Sequence, residues 1–177
     1  MSIFTSKGFV AGIFISIFVL LLIYKLANTD HRSKTAYDER QQLIRGKGYM
    51  YGFYTIVIYE CIIMAISVSG IELPAVDFII HFAGILLGCI VLASYNIWKG
   101  VYWGLNNNPK RYAVVFIALL VLNAIPVFGS IKDGSIFENG KLSIPFLNVL
   151  VLLMLTVLVI ELFVKHLADK SSEERDA

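Results

Sequence analysis

Apolar residues gather along this chain into five long runs, at 8–26, 49–69, 77–98, 112–129 and 144–165, separated by short polar stretches. Each approaches or exceeds the roughly 17–25 residues that cross a hydrocarbon core. The pattern predicts an all-α integral membrane protein: a single bundle of five transmembrane helices over residues 1–168, followed by a polar tail at 169–177 that frays. The fourth run is the shortest and contains Pro126, so its far end is expected to be irregular. Between the fourth and fifth runs, "SIFENGKLS" alternates apolar and polar residues around Asn139-Gly140, the pattern of a small hairpin or, failing that, an irregular loop.

Composition strengthens this picture. The 177 residues are 58% apolar and 16% charged, and the mean hydropathy of +0.75 exceeds what a solvated surface carries. The polar stretches are too short for a second domain with its own core. A net charge of +2 gives no footing for nucleic acid. Twelve of the fifteen Lys and Arg residues fall on one side of the five-run topology and three on the other. That asymmetry places the N-terminus outside, the C-terminus in the cytoplasm and the hairpin on the outer side. Trp98, Tyr102, Trp103, Tyr49, Tyr51 and Tyr112 then lie at the cytoplasmic interface. The first run is too long for a signal-peptide core and lacks a small-x-small cleavage site, so it reads as a retained helix. Cys61 and Cys89 lack any C-x-x-C or Cys/His spacing and read as small core residues.

The entrance to the second run is the most distinctive segment. In "TAYDERQQLIRGKG", Thr35 and Asp38 have capping-box spacing, which predicts a cytoplasmic helix starting at Ala36 and running into the membrane. Asp38 and Glu39 suit the positive end of its dipole but meet no base three or four residues on. Lys99, Lys110 and Arg111 are the nearest cations on the same side, while Arg40, Arg45 and Lys47 are left for lipid phosphates. Asp38, Glu39, Arg40, Lys110 and Arg111 thus read either as an interaction surface or as a topology anchor. The same residues resemble a group of uncharacterised small multi-pass bacterial membrane proteins, chiefly Gram-positive, with a D-E-R-Q motif before a transmembrane helix. That resemblance implies a plasma-membrane location and no particular activity. Where the group often has Lys-Ala before the membrane run, this chain has Gly46-Lys47-Gly48, expected to loosen the joint.

Within the runs, Gly-x-x-x-Gly recurs at Gly8/Gly12, Gly48/Gly52, Gly84/Gly88 and Gly100/Gly104, readable as a dimer face or as packing inside the bundle. His81, Asn148, Asn96, Glu161 and His166 stand near run ends, within reach of headgroups or water. Glu60 is placed deeper, about 16 Å into the second run. Burial there disfavours a bare carboxylate, so it needs a partner, and the same depth count on the fourth run selects Asn123. No nucleophile, metal or phosphate-loop pattern occurs, and no enzyme, metal or cofactor is expected. The reading is an accessory or regulatory membrane protein that works through helix packing and its cytoplasmic face. Its partner is a membrane or cytoplasmic protein or a second copy of itself, within the lipid bilayer. The alternative is a small proton-coupled transporter using Glu60.

Overall fold

The computed structural model describes residues 21–23, 25–30 and 34–176. The first expected span lies outside them up to residue 20, while 21–23 and 25–27 are helical. The elements that follow are α1 (Glu39–Val68), α2 (Asp77–Trp98), α3 (Pro109–Lys132), β1 (Phe137–Glu138), β2 (Lys141–Leu142) and α4 (Phe146–Asp176). Four helices, α1 to α4, are long and apolar enough to cross a membrane. The chain divides into two compact units, 1–38 with 103–115 and 39–102 with 116–177.

In the larger unit α1 packs on α2 through glycine. A methyl group on Gly52 would meet the Gly88 carbonyl oxygen at 2.9 Å and Leu92 Cβ at 3.1 Å, and one on Gly48 would meet Asn96 Oδ1 at 2.8 Å. Methyl groups on Gly84 and Gly88 would collide with Tyr59 and Ile56. Two of the four Gly-x-x-x-Gly pairs are therefore consumed within the chain, because only a missing Cβ lets the backbones come this close. Gly46-Lys47-Gly48 does not loosen the joint, since α1 is continuous through it and Gly48 is buried. On its other side α2 meets α4, with Ala93, Ile97 and Leu158 at the centre of the contact and Tyr102, Met154 and Leu162 around them.

α2 stops in a Schellman arrangement: Gly100 takes φ 67°, its N–H donates to the Ile97 carbonyl at 3.0 Å, and Val101 N–H donates to Asn96 at 2.9 Å. Glycine suits this left-handed turn, which satisfies carbonyls that the helix end leaves open. Arg45 of α1 adds a second cap. Its guanidinium donates to the carbonyls of Val101 at 3.3 Å and Tyr102 at 3.5 Å, so the expectation that Arg45 is left for lipid phosphates is corrected. Asn96 is corrected too: it is 1% exposed rather than interfacial, and its amide atoms have no hydrogen-bond partner among the described residues.

The hairpin forms where the alternation placed it, pairing Phe137 with Leu142 and Glu138 with Lys141 around Asn139 and Gly140 at φ 52° and 77°. It does not stand alone. Leu142 N–H donates to Pro74 O at 2.8 Å and Val76 N–H to Leu142 O at 3.2 Å, so the α1–α2 loop adds a third strand-like segment. This answers the marginal stability of an isolated two-stranded ribbon.

Three further expectations fail for local reasons. α3 runs regularly through Pro126 to Lys132. The tail stays helical to Asp176, supported by the i,i+4 pairs Lys165–Asp169 and Lys170–Glu174. Cys61 and Cys89 are exposed, because the glycine face of each helix takes the packed side.

Candidate functional site

Where α1 and α2 meet near the hairpin, two ionisable side chains face each other. Glu60 Oε2 lies 2.7 Å from His81 Nδ1, with side chains 35% and 56% exposed. One residue earlier, the Tyr59 hydroxyl donates to the Ile80 carbonyl at 2.9 Å, so two successive α1 residues grip the first turns of α2. The Glu60–Asn123 pairing is thus corrected: the Asn123 amide donates to Leu119 O on its own helix at 2.8 Å. Equal depth counted along separate helices did not select the partner, because Glu60 packs against α2 and meets His81 there. His81 stands only about 6 Å from the start of α2 at 1.5 Å per residue.

The pair lies in the wall of a cavity of about 660 Å³ lined also by Ile63, Met64, Val68, Glu72, Asp77 and Lys141. Lys141 of β2 reaches Glu72 of the α1–α2 loop at 3.3 Å, linking the hairpin to the rim. Asp77 opens α2, where a carboxylate complements the helix dipole. The arrangement can hold or exchange a proton at Glu60 and His81 and present negative charge to a solute. Among the described residues no group of three His, Cys, Asp or Glu side chains could hold a metal ion.

Of the other candidate residues, Glu39 and Arg40 open α1, Asp38 precedes it, and Lys110 and Arg111 lie in the first turn of α3. Asp38, Glu39, Arg40, Lys110 and Arg111 are all exposed. Helix α1 starts at Glu39 and not at Ala36. The Ala36 N–H donates to Asn106 Oδ1 at 2.8 Å and its carbonyl accepts from Leu105 N–H at 2.8 Å. Both backbone groups are held in the loop, and Thr35 is no cap: its methyl group packs against Gly104.

That loop contact belongs to the smaller unit, whose centre the sequence reading missed. "NNN" is a polar clasp in which each asparagine has its own task. Asn106 donates to the Asp30 carboxylate at 3.1 Å and to Lys34 O at 3.0 Å, and its carbonyl accepts Thr29 N–H at 2.8 Å. Asn107 donates to Asn28 Oδ1 at 2.7 Å, which also accepts from the Tyr112 hydroxyl at 3.0 Å. Asn108 caps α3 by accepting from Lys110 and Arg111 N–H at 3.1 and 3.2 Å, ahead of Pro109 at the first position. Arg111 donates to the carbonyls of Leu26 and Asn28 at 3.0 and 3.4 Å. The signal available in sequence was three consecutive amides and, far upstream, the polar turn "NTD" at 28–30, but nothing local paired them.

The class this defines is a mostly helical chain with four helices long and apolar enough to cross a membrane and a polar cavity beside a short hairpin. No protein-family model, curated protein or solved structure matches the chain.

Proposed function

We propose that this chain is a multi-pass plasma-membrane protein without enzymatic activity, an accessory or regulatory subunit that reads the outer medium through the Glu60–His81 cavity. Five spans place the N-terminus outside and the exposed D-E-R face in the cytoplasm, where a partner protein binds. The observation that carries the reading is the 2.7 Å carboxylate–imidazole contact in a cavity wall. Ionisable groups in an apolar helix pair are costly, and packing here is already supplied by glycine.

In nanodiscs with ¹⁵N-labelled histidine, one of the three imidazole signals is expected to vanish in His81→Gln and to titrate differently in Glu60→Gln. A His81 titration unchanged by Glu60→Gln overturns the reading. Orientation has its own test. A cysteine at Ser135 is expected to react with an impermeant thiol reagent in intact cells and one at Ser171 only after lysis, with Cys61 and Cys89 replaced by alanine. Labelling of the Ser171 position alone inverts the topology.

The same contact favours a second reading, a small proton-coupled transporter, because it supplies a second ionisable group beside Glu60. That reading requires pH-gradient-driven solute uptake in proteoliposomes that Glu60→Gln abolishes. An accessory subunit shows none.

A further inference from the structure

We propose that the cavity beside the hairpin binds an organic cation, one ammonium group on an apolar body, with the Glu60 carboxylate as its counter-ion. This rests on the cavity being the working part of the protein and names what it takes.

The lining has two zones. Ile63, Met64, Val68 and Ile80 form an apolar wall, and Glu60, Glu72 and Asp77 bring three carboxylates against the single ammonium of Lys141. Lys141 is committed to Glu72 at 3.3 Å, which leaves Glu60 and Asp77 with His81 as the only other ionisable side chain of the lining. With a neutral imidazole the cavity carries negative charge beside apolar surface, the combination that holds an amphiphilic cation. The carboxylates do not converge as a metal site requires, and no metal-holding group occurs among the described residues. Charge spread around a volume of about 660 Å³ suits a bulky singly charged molecule, since a volume of several hundred Å³ is typical of small-molecule sites.

His81 makes occupancy depend on pH. The titratable or charged groups around it are Glu60 and Tyr59 from α1, Asp77 from α2, Glu72 from the loop and Lys141 from β2. Once protonated, His81 is itself the cation for Glu60, so acidification weakens binding of the organic one.

The test uses the full-length protein in phosphatidylcholine nanodiscs, which add no net lipid charge, with ¹⁵N-labelled histidine. Benzylammonium is the probe and benzyl alcohol its neutral counterpart. Benzylammonium is expected to shift the His81 signal saturably and benzyl alcohol to leave it unmoved. Glu60→Gln is expected to weaken binding about tenfold, the loss of one charge partner, whereas Glu174→Gln near the end of α4, outside the lining, changes nothing. Asp77→Asn is the second variant, expected to weaken binding if Glu60→Gln does not fold. Equal binding of the alcohol, absence of a saturable shift, or full affinity in the charge-removing variant overturns the proposal. If His81 still titrates in a Glu60-dependent way while benzylammonium does not bind, the cation falls and the medium-reading cavity stands. If benzylammonium binds while the titration ignores Glu60, the reverse holds.

Discussion

Gly52→Leu is expected to separate α1 from α2 and to lower the thermal midpoint of the purified protein by about 6–12 °C, the equivalent of about 3 kcal/mol. The reason is what the new side chain meets. Its Cβ would stand 2.9 Å from the Gly88 carbonyl oxygen and 3.1 Å from Leu92 Cβ. The first is backbone, which cannot rotate away, so the helices must part along the whole glycine face. The loss then spreads, since Gly48 against Asn96 and Gly88 against Ile56 depend on the same separation. Gly46→Ala is the control on the same helix. A methyl group there meets nothing within 4 Å, and alanine is the better helix former by about 1 kcal/mol, so the midpoint is expected to hold or rise. Fluorescence-detected thermal melts in mild detergent read both. Equal melting of Gly52→Leu and wild type contradicts the tight α1–α2 contact.

Asn106→Leu is expected to open the polar clasp of the smaller unit at a cost of about 2–3 kcal/mol. Asn106 is 7% exposed, and its amide serves the Asp30 carboxylate, the Lys34 carbonyl and the Ala36 N–H together. Leucine fills the space and satisfies none of the three. Lys34 and Ala36 then lose the amide that holds them, and trypsin is expected to cut after Lys34 several-fold faster while the rest of the chain stays intact. Asn108→Asp, two residues on, is the comparison. It keeps an oxygen for the Lys110 and Arg111 N–H groups and places negative charge at a helix start, so cleavage and melting are expected to match wild type. If Asn106→Leu resists trypsin as wild type does, the amide is not what holds the segment.

Both positions test interactions that reading along the chain could only half supply. Gly52 was visible as one member of a Gly-x-x-x-Gly pair, but whether it meets a second copy or the next helix depends on which faces turn together. Asn106 carried no mark in the hydropathy pattern beyond lying in the polar stretch between the third and fourth runs. Its partners lie 70 to 77 residues away in the chain, and three neighbouring amides carry no local mark of which takes which bond.

The sequence by itself determined what hydropathy and local backbone chemistry dictate. The four described helices follow from runs too apolar for water, and the hairpin from Asn139-Gly140, where both residues adopt positive φ. Tertiary structure decided which polar groups meet. Glu60 was recognisable as an ionisable residue in an apolar helix, but a count of 1.5 Å per residue along separate helices assumes a common zero that the helices do not share. Glycine contacts fix how α1 slides along α2, and that offset brings Glu60 to His81 and leaves Asn123 bonded to its own helix. Helix existence is a local property of the chain, whereas side-chain partnership depends on register between elements distant in sequence, which only packing sets.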